Sequence, residues 1–507
     1  MEPERDRSEL PWVGTLPCSA FEQFLLCQDS PSHPCTLFLR LEFHGSVDRC
    51  SFERAWSLIL DRHPLLRAHR TSDGQPAAWF IQHDARCPIE WMDAPVDPSL
   101  GTWFETSQLN LQECIGIRVR AFDSNMHPEP STSGNSSSDS RCLVWIQFHH
   151  ACTDGPGVVQ LMMEWLQIYD GLCRGTEPNL PSIDSSRLFA RNHFGLTWRS
   201  IVRGLPKQAI GLLGVRQFLM RRPVPLIPHS PISIDDSQPL AVTARVHRFP
   251  RDETRELKRT AHENGCTVNS MLAAAIFCGI HGFRQQALGS ASKGWVRMMV
   301  PMSMRRHAND RQLPASNVVS SVFLDRTQSQ VGNAMELARG IQREIELIQR
   351  KRLQLLFSLS IWIKSRVLRH RIRPNRMKRC HTTVVFSNLG KLPTRFIRTD
   401  PQQRWLLGDL VLHSVEGLTP LNPHMCIAFT ASVYAGSLSL SLRYDHRVIT
   451  ADEAQQLLQR VISQTRCMMA AATAVAVAPL AAADSAQTET RQTPPQYEKT
   501  EKDAPCS

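Results

Sequence analysis

Two stretches far apart in the chain are written in one grammar. LVWIQFHHACTDGPGVVQLMMEWLQ (143–167) and LSLSLRYDHRVITADEAQQLLQRVI (438–462) each read as an apolar strand, a histidine near its end, a short turn and an amphipathic helix. Set side by side, they bring His150 opposite His446, Asp154 opposite Thr450 and Gly155 opposite Ala451. Such a repeat predicts two units of the same α/β build, one with Asp-Gly after its histidine and one without. The length of 507 residues has room for both.

Around these landmarks the chain alternates between strand and helix patterns. TLFLRLEFHG (36–45) places Leu37, Leu39, Leu41 and Phe43 on one face of a strand. An amphipathic helix follows, with Phe52, Ala55, Trp56 and Leu60 at helical spacing. AAWFIQ and GIRVRAF read as further strands, and the polar, low-complexity run 125–140 reads as a loop. The expected division is an N-terminal unit at 1–180, a basic, Pro-rich crossover at 181–240 and a C-terminal unit at 241–468. An Ala-rich and then disordered tail would follow at 469–507, with disorder expected from about Asp484. Within the second unit VRMMVPM, SSVFLD and TTVVFS read as strands, and NSMLAAAIFCGIHGF as a buried helix.

The net charge of +11 invites a nucleic-acid reading, but its distribution removes it. Segments 187–222 and 350–380 hold 8 and 11 Lys/Arg and no Asp or Glu. Outside them, 39 basic residues face 47 acidic ones. No nucleic-acid partner is therefore expected. Both segments also carry large apolar residues, among them Trp198, Phe218, Phe357 and Trp362, a mixture that suits a membrane surface or a pocket for an anionic ligand with a greasy tail. A solvated face is the plain alternative. No apolar run follows a basic start and none is long enough to span a bilayer, so a cytoplasmic protein, at most peripheral to a membrane, is expected. The 15 cysteines show no C-x-x-C or zinc-like spacing and read as reduced.

The pair His149–His150 has three readings. Adjacent residues of a strand point to opposite faces, so both cannot readily ligate one ion, and no metal site is expected. Two core histidines satisfied by hydrogen bonds are the second reading. The third sends one imidazole into a cleft as a general base while the other packs behind it. Asp154 would then pair with a basic residue and fix the loop, and Gly155 would allow backbone freedom or close approach.

The His-His-x-x-x-Asp-Gly pattern resembles that of the condensation-domain-like acyltransferases, which share the chloramphenicol acetyltransferase type of fold. DRHPLLRA (61–68), VPMSMR (300–305), SNVV (316–319) and VFSNLG (385–390) resemble further family stretches, and the likeness runs from Pro17 to about Arg466. It implies an α/β sandwich of two acetyltransferase-like domains, with mixed sheets and helices packed on them. It implies His150 as catalytic base, His149 as a packing and orienting residue, and an arginine partner for Asp154, with Arg62 the first choice and Arg67 the second. Ser303, Asn317 and Ser387 are candidates for oxyanion or substrate positioning. His446 is the degenerate counterpart of His150, and Cys152 is a packing residue, since the family needs no acyl-enzyme.

The expected function is transfer of an acyl group from a thioester, acyl-CoA as co-substrate, to a hydroxyl or amine acceptor, with no cofactor. An amide-forming condensation enzyme served by carrier proteins in trans is the first alternative. A non-catalytic scaffold of the same fold is the second.

Overall fold

The computed structural model describes residues 14–70, 78–92, 101–104, 108–123, 140–191, 209–228, 240–305, 312–367, 379–393 and 397–488. The 125–140 loop apart from Ser140, much of the 181–240 crossover and the tail past Thr488 lie outside them.

The apolar alternation at 37–43 forms β2 (Thr36–His44), and α2 (Arg49–Arg62) follows under an Asp48 N-cap that accepts from the Cys50 and Ser51 amides. Leu37, Leu39, Leu41 and Phe43 pack with Phe52, Trp56 and Leu60 of α2 and with Leu161, Trp165 and Leu166 of α3 (Gly155–Arg174). Trp56 stacks on Trp165 with ring centroids 4.8 Å apart. Beyond the apolar face read from the sequence, the opposite face of β2 is buried as well. Phe38 packs on Trp145, Val242, Ala244 and Leu418, while Arg40 and Glu42 join an ion-pair network with Arg248 and Glu416. The second face of β2 is covered by the other half of the chain.

β2 lies in a six-stranded sheet ordered β13 (Leu406–Leu407), β14 (Leu410–Leu418), β2, β8 (Arg141–His149), β7 (Ile117–Asp123), β5 (Ile89–Met92). A seven-stranded sheet runs β11 (Val319–Arg326), β10 (Val296–Ser303), β12 (Val384–Lys391), β15 (Ile427–Tyr434), β16 (Ser437–Tyr444), β9 (Val242–Phe249), β6 (Gly101–Phe104). A small sheet joins β1 (Gly14–Pro17), β4 (Ala78–Ile81) and β3 (Ala68–Arg70). The large sheets trade strands. β6 of the N-terminal half pairs with β9, and β14 of the C-terminal half pairs with β2 over seven residue pairs. The division expected near 180–241 therefore runs through both sheets, because each half completes the other's hydrogen-bond ladder.

NSMLAAAIFCGIHGF lies in α6 (Val268–Leu288), whose Met271 to Phe277 are all buried beneath the seven-stranded sheet with α7 (Ala334–Lys351) and α9 (Ala451–Thr488). The predicted repeat is present as β8–turn–α3 and β16–turn–α9. Thr450 accepts from the Glu453 amide and Glu453 accepts from the Thr450 amide, a reciprocal cap that starts α9 without an Asp-Gly. α9 runs to Thr488, past the Asp484 expected to open the tail. Its alanine-rich stretch has high helix propensity and carries the last turns. Among the described residues no single helix is long and apolar enough to cross a membrane.

Candidate active site

β8 ends on His149, and the turn that follows is built from its own side chains. His149 is fully buried; its Nδ1 accepts the Ala151 amide at 3.1 Å, which leaves the proton on Nε2, 3.4 Å from Asp29 Oδ2. The His150 amide donates to the carbonyl of Cys35, the residue just before β2. The His150 ring is half-buried, and its Nδ1 lies 2.9 Å from the Thr153 carbonyl. A carbonyl only accepts, so Nδ1 carries the proton and Nε2 holds the lone pair in the neutral ring. Burial pushes the His150 pKa below 6.5, against the opposing pull of the Thr153 carbonyl and Asp154. Both effects of the site, the Thr153 hydrogen bond on Nδ1 and the burial, leave Nε2 as the unprotonated nitrogen of a neutral ring.

Asp154 is fully buried at the N-cap of α3, and four donors meet its carboxylate. Oδ1 accepts from the Gly157 amide and Arg305 Nη2, and Oδ2 from the Val318 amide and Arg305 Nη1, each at 2.8 Å. The arginine partner is therefore Arg305, not Arg62 or Arg67. Arg62 Nε is held 2.5 Å from Glu164 of α3 and its Nη2 donates to the Pro181 carbonyl. Arg67 is fully buried and spends its guanidinium on the carbonyls of Leu60, Gln82 and His83. Arg305 closes the VPMSMR stretch and also donates to the Ser316 carbonyl at 2.8 Å. Gly155 has no left-handed φ; a Cβ there would sit 3.2 Å from Leu389 Cδ2, so close approach is its role. Gly157, which the spacing did not single out, is more constrained: a Cβ would stand 2.2 Å from Thr153 Oγ1.

The SNVV loop clamps this turn. Asn317 Nδ2 donates to the His150 and Ala151 carbonyls at 2.6 and 2.9 Å. Its amide nitrogen is thus directed at backbone carbonyls of the turn, and Asn317 is not among the residues lining the cavity between the two large sheets. The loop is anchored by the Ala315 amide on His63 Nδ1 at 3.0 Å, and His63 Nε2 then donates to Glu164 at 3.1 Å. DRHPLLRA thus acts through His63, which ties α3 to the loop.

A cavity of about 910 Å³ lies between the two large sheets, and His150, Asp154 and Gly155 line it. Ser303 and Ser387 line it as well. Thr419 and Thr430, absent from the sequence reading, also line it, and among the described residues neither buried hydroxyl has a hydrogen-bond partner. An aromatic wall starts at His150: Phe21 meets the ring edge-on at 6.4 Å, and Phe24, Phe357, Phe323 and Phe218 continue it at centroid spacings of 4.9–6.5 Å. Phe21 and Phe24 are aimed by α1 (Ala20–Gln28), which a Ser19–Glu22 capping box starts. Buried Glu22 also takes Arg191 at 2.6 and 2.7 Å and Trp79 Nε1 at 2.8 Å. Arg191 belongs to the basic 187–222 segment, so that segment is not wholly a charged surface. Cys152 is fully buried with its thiol pKa pushed well above the usual range, which makes it inert packing. His446 is exposed and outside the cavity. Among the described residues no group of three or more His, Cys, Asp or Glu could hold a metal ion.

No family model matches the chain. It is 23% identical over 274 residues to the AMB antimetabolite synthetase AmbE of Pseudomonas aeruginosa, covering 51% of this chain and 12% of that protein. The chain thus corresponds to a small part of that relative's length. Among solved structures it superposes on the TRI3 trichothecene 15-O-acetyltransferase of Fusarium sporotrichioides with a TM-score of 0.64, 13% identity and coverage of 90% and 95% of the two chains. It superposes on the starter condensation domain of rhizomide synthetase, solved in complex with C8-CoA, with a TM-score of 0.60, 15% identity and coverage of 90% and 95%. The chain therefore has the two-lobed fold shared by condensation domains and chloramphenicol acetyltransferase-like acyltransferases.

Proposed function

We propose that the protein is an acyltransferase that moves an acyl group from acyl-CoA to a hydroxyl or amine acceptor with His150 as general base. The single observation that carries this reading is the neutral His150 ring, its Nδ1 proton fixed on Thr153 and its Nε2 left unprotonated, lining a cavity between the two sheets. The acceptor's proton passes to Nε2 as its oxygen or nitrogen attacks the thioester carbonyl. The tetrahedral intermediate then breaks its C–S bond, and the imidazolium returns the proton to the departing CoA thiolate. No acyl-enzyme is needed, in keeping with the inert Cys152. Ser303, Ser387, Thr419 and Thr430 supply the hydroxyls we assign to the developing oxyanion and to the acceptor.

The aromatic wall beside His150 favours a substrate whose acyl chain or acceptor body is bulky and apolar. Exposed Arg379 at the cavity's edge is the cation we assign to the CoA phosphates. That a rhizomide synthetase condensation domain of this fold was solved with C8-CoA supports a CoA thioester as donor. The likeness to AmbE favours carrier-bound substrates as the second reading. A mass-spectrometric screen of acyl-CoA donors against pooled apolar alcohols and amines tests the first. Product from free acyl-CoA is expected; product only with a phosphopantetheinylated carrier would hand the case to the second reading.

A further inference from the structure

We propose that α4 (Ala209–Met220) and α8 (Leu355–Val367) form a docking surface for an anionic lipid bilayer at the edge of the active-site cavity. Ten large apolar side chains are conspicuously exposed among the described residues, and six lie on these two helices: Leu213, Val215, Leu219, Met220, Leu359 and Trp362. Leu219 and Met220 are 72% and 66% exposed, while the other four of the ten are scattered over separate elements. From Leu213 to Met220 only Phe218 is partly covered, although the α4 sequence AIGLLGVRQFLM has one charge and no acid. A helix of this composition normally buries a stripe. Here Leu213, Val215, Leu219 and Met220 fall within an arc of about 160° and stand exposed. An exposed apolar face of that breadth suits the interfacial layer of a bilayer, into which a surface helix sinks one side.

The two helices belong to one surface. Phe218 of α4 and Phe357 of α8 pack on the same residue, Phe323 of β11, at 4.9 and 5.6 Å. Phe218 and Leu219 from one helix and Ser360 and Ile361 from the other line the cavity that holds His150. Both helices therefore border the cavity that holds His150.

Charge selects the bilayer. The segments 187–222 and 350–380, which contain these helices, have no acidic residue, while the remainder of the chain is net acidic. Arg187, Arg191 and Arg221 are engaged by Asp184, Glu22 and Asp325, but Arg216 stands exposed on α4 and Arg222 and Arg379 beside the cavity. Cations interleaved with apolar side chains match an anionic headgroup layer over acyl chains.

Flotation of the full chain with phosphatidylcholine vesicles, with and without phosphatidylserine, tests this. Wild type is expected to float with the anionic vesicles at low salt and to be released as salt screens the contact. The double substitution Leu219→Glu/Met220→Glu should weaken binding by at least about tenfold while leaving the thermal unfolding curve in place. Leu172→Glu, at an exposed position on α3, should bind as wild type does. A wild type that ignores anionic vesicles at low salt, or a double variant that binds them unchanged, would overturn the proposal. So would capture of an acidic carrier protein through Leu219 and Met220 in a chain that ignores vesicles. Binding is read without turnover, so the outcome stands apart from the chemistry proposed above.

Discussion

At Asp154 four hydrogen bonds converge on one buried carboxylate, and two of them come from Arg305. Removing the guanidinium leaves that carboxylate half-satisfied and frees the Ser316 carbonyl, which loosens the loop that holds the His150 backbone. Arg305→Ala is expected to cost about 3 kcal/mol in urea unfolding, the range for breaking a buried pair, and to lower transfer. Arg62→Ala leaves the His63–Glu164 bond in place and should cost about 1 kcal/mol with activity largely kept. Equal losses in the two variants would contradict the assignment. The motif made His150, Asp154 and Gly155 legible in the sequence, because strand, turn and helix start are local. The arginine was not legible: Arg305 lies 151 residues from Asp154, and spacing carries no information about a contact made only by folding. The sequence singled out Asn317 but not the His150 and Ala151 carbonyls it donates to, which are brought to it by the same long-range packing.

At the scale of elements, α3 is held to the loop before β11 through Glu164, His63 and Ala315. Burial alone would raise the Glu164 pKa, but the His63 and Arg62 contacts outweigh it and hold the carboxyl at about 2. A folded-state pKa below the unfolded value of about 4.5 means that the stabilisation is complete above that value and is lost as pH falls toward 2. Glu164→Gln is therefore expected to destabilise the protein by about 3 kcal/mol near neutrality. The gap from wild type should shrink steadily below pH 4.5 in unfolding curves. A gap that stays constant down to pH 3 would show that the carboxylate's charge is not what matters. Helices and strands with a strong apolar period, such as β2, α2 and α6, were readable from sequence. The double burial of β2 was not, since Arg40 and Glu42 look like a wet face until Glu416 and Arg248 arrive from the other half.

At the scale of the whole molecule, the repeat was visible but the trade of β6 and β14 between sheets was not. Strand partners are chosen by edges, and edges do not show in a one-dimensional pattern. That exchange carries β14 into the sheet beside β2 and leaves the cavity lined by both lobes, with His150 on one side and Ser387 and Thr430 on the other. In the proposed reaction His150, neutral in this cavity, takes the acceptor's proton. The most direct measurement is the pH profile of product formation by wild type and by His150→Ala, followed by mass spectrometry with an acyl-CoA and acceptor found in the screen. Wild type is expected to keep full kcat/KM at pH 7 and to lose it only below about 6.5, because the base must be unprotonated and its pKa is depressed. His150→Ala should fall by about 10²–10⁴-fold, lose that acid limb and unfold at the wild-type temperature. Undiminished transfer by a folded His150→Ala protein, with the same acid limb, would show that His150 is not the base.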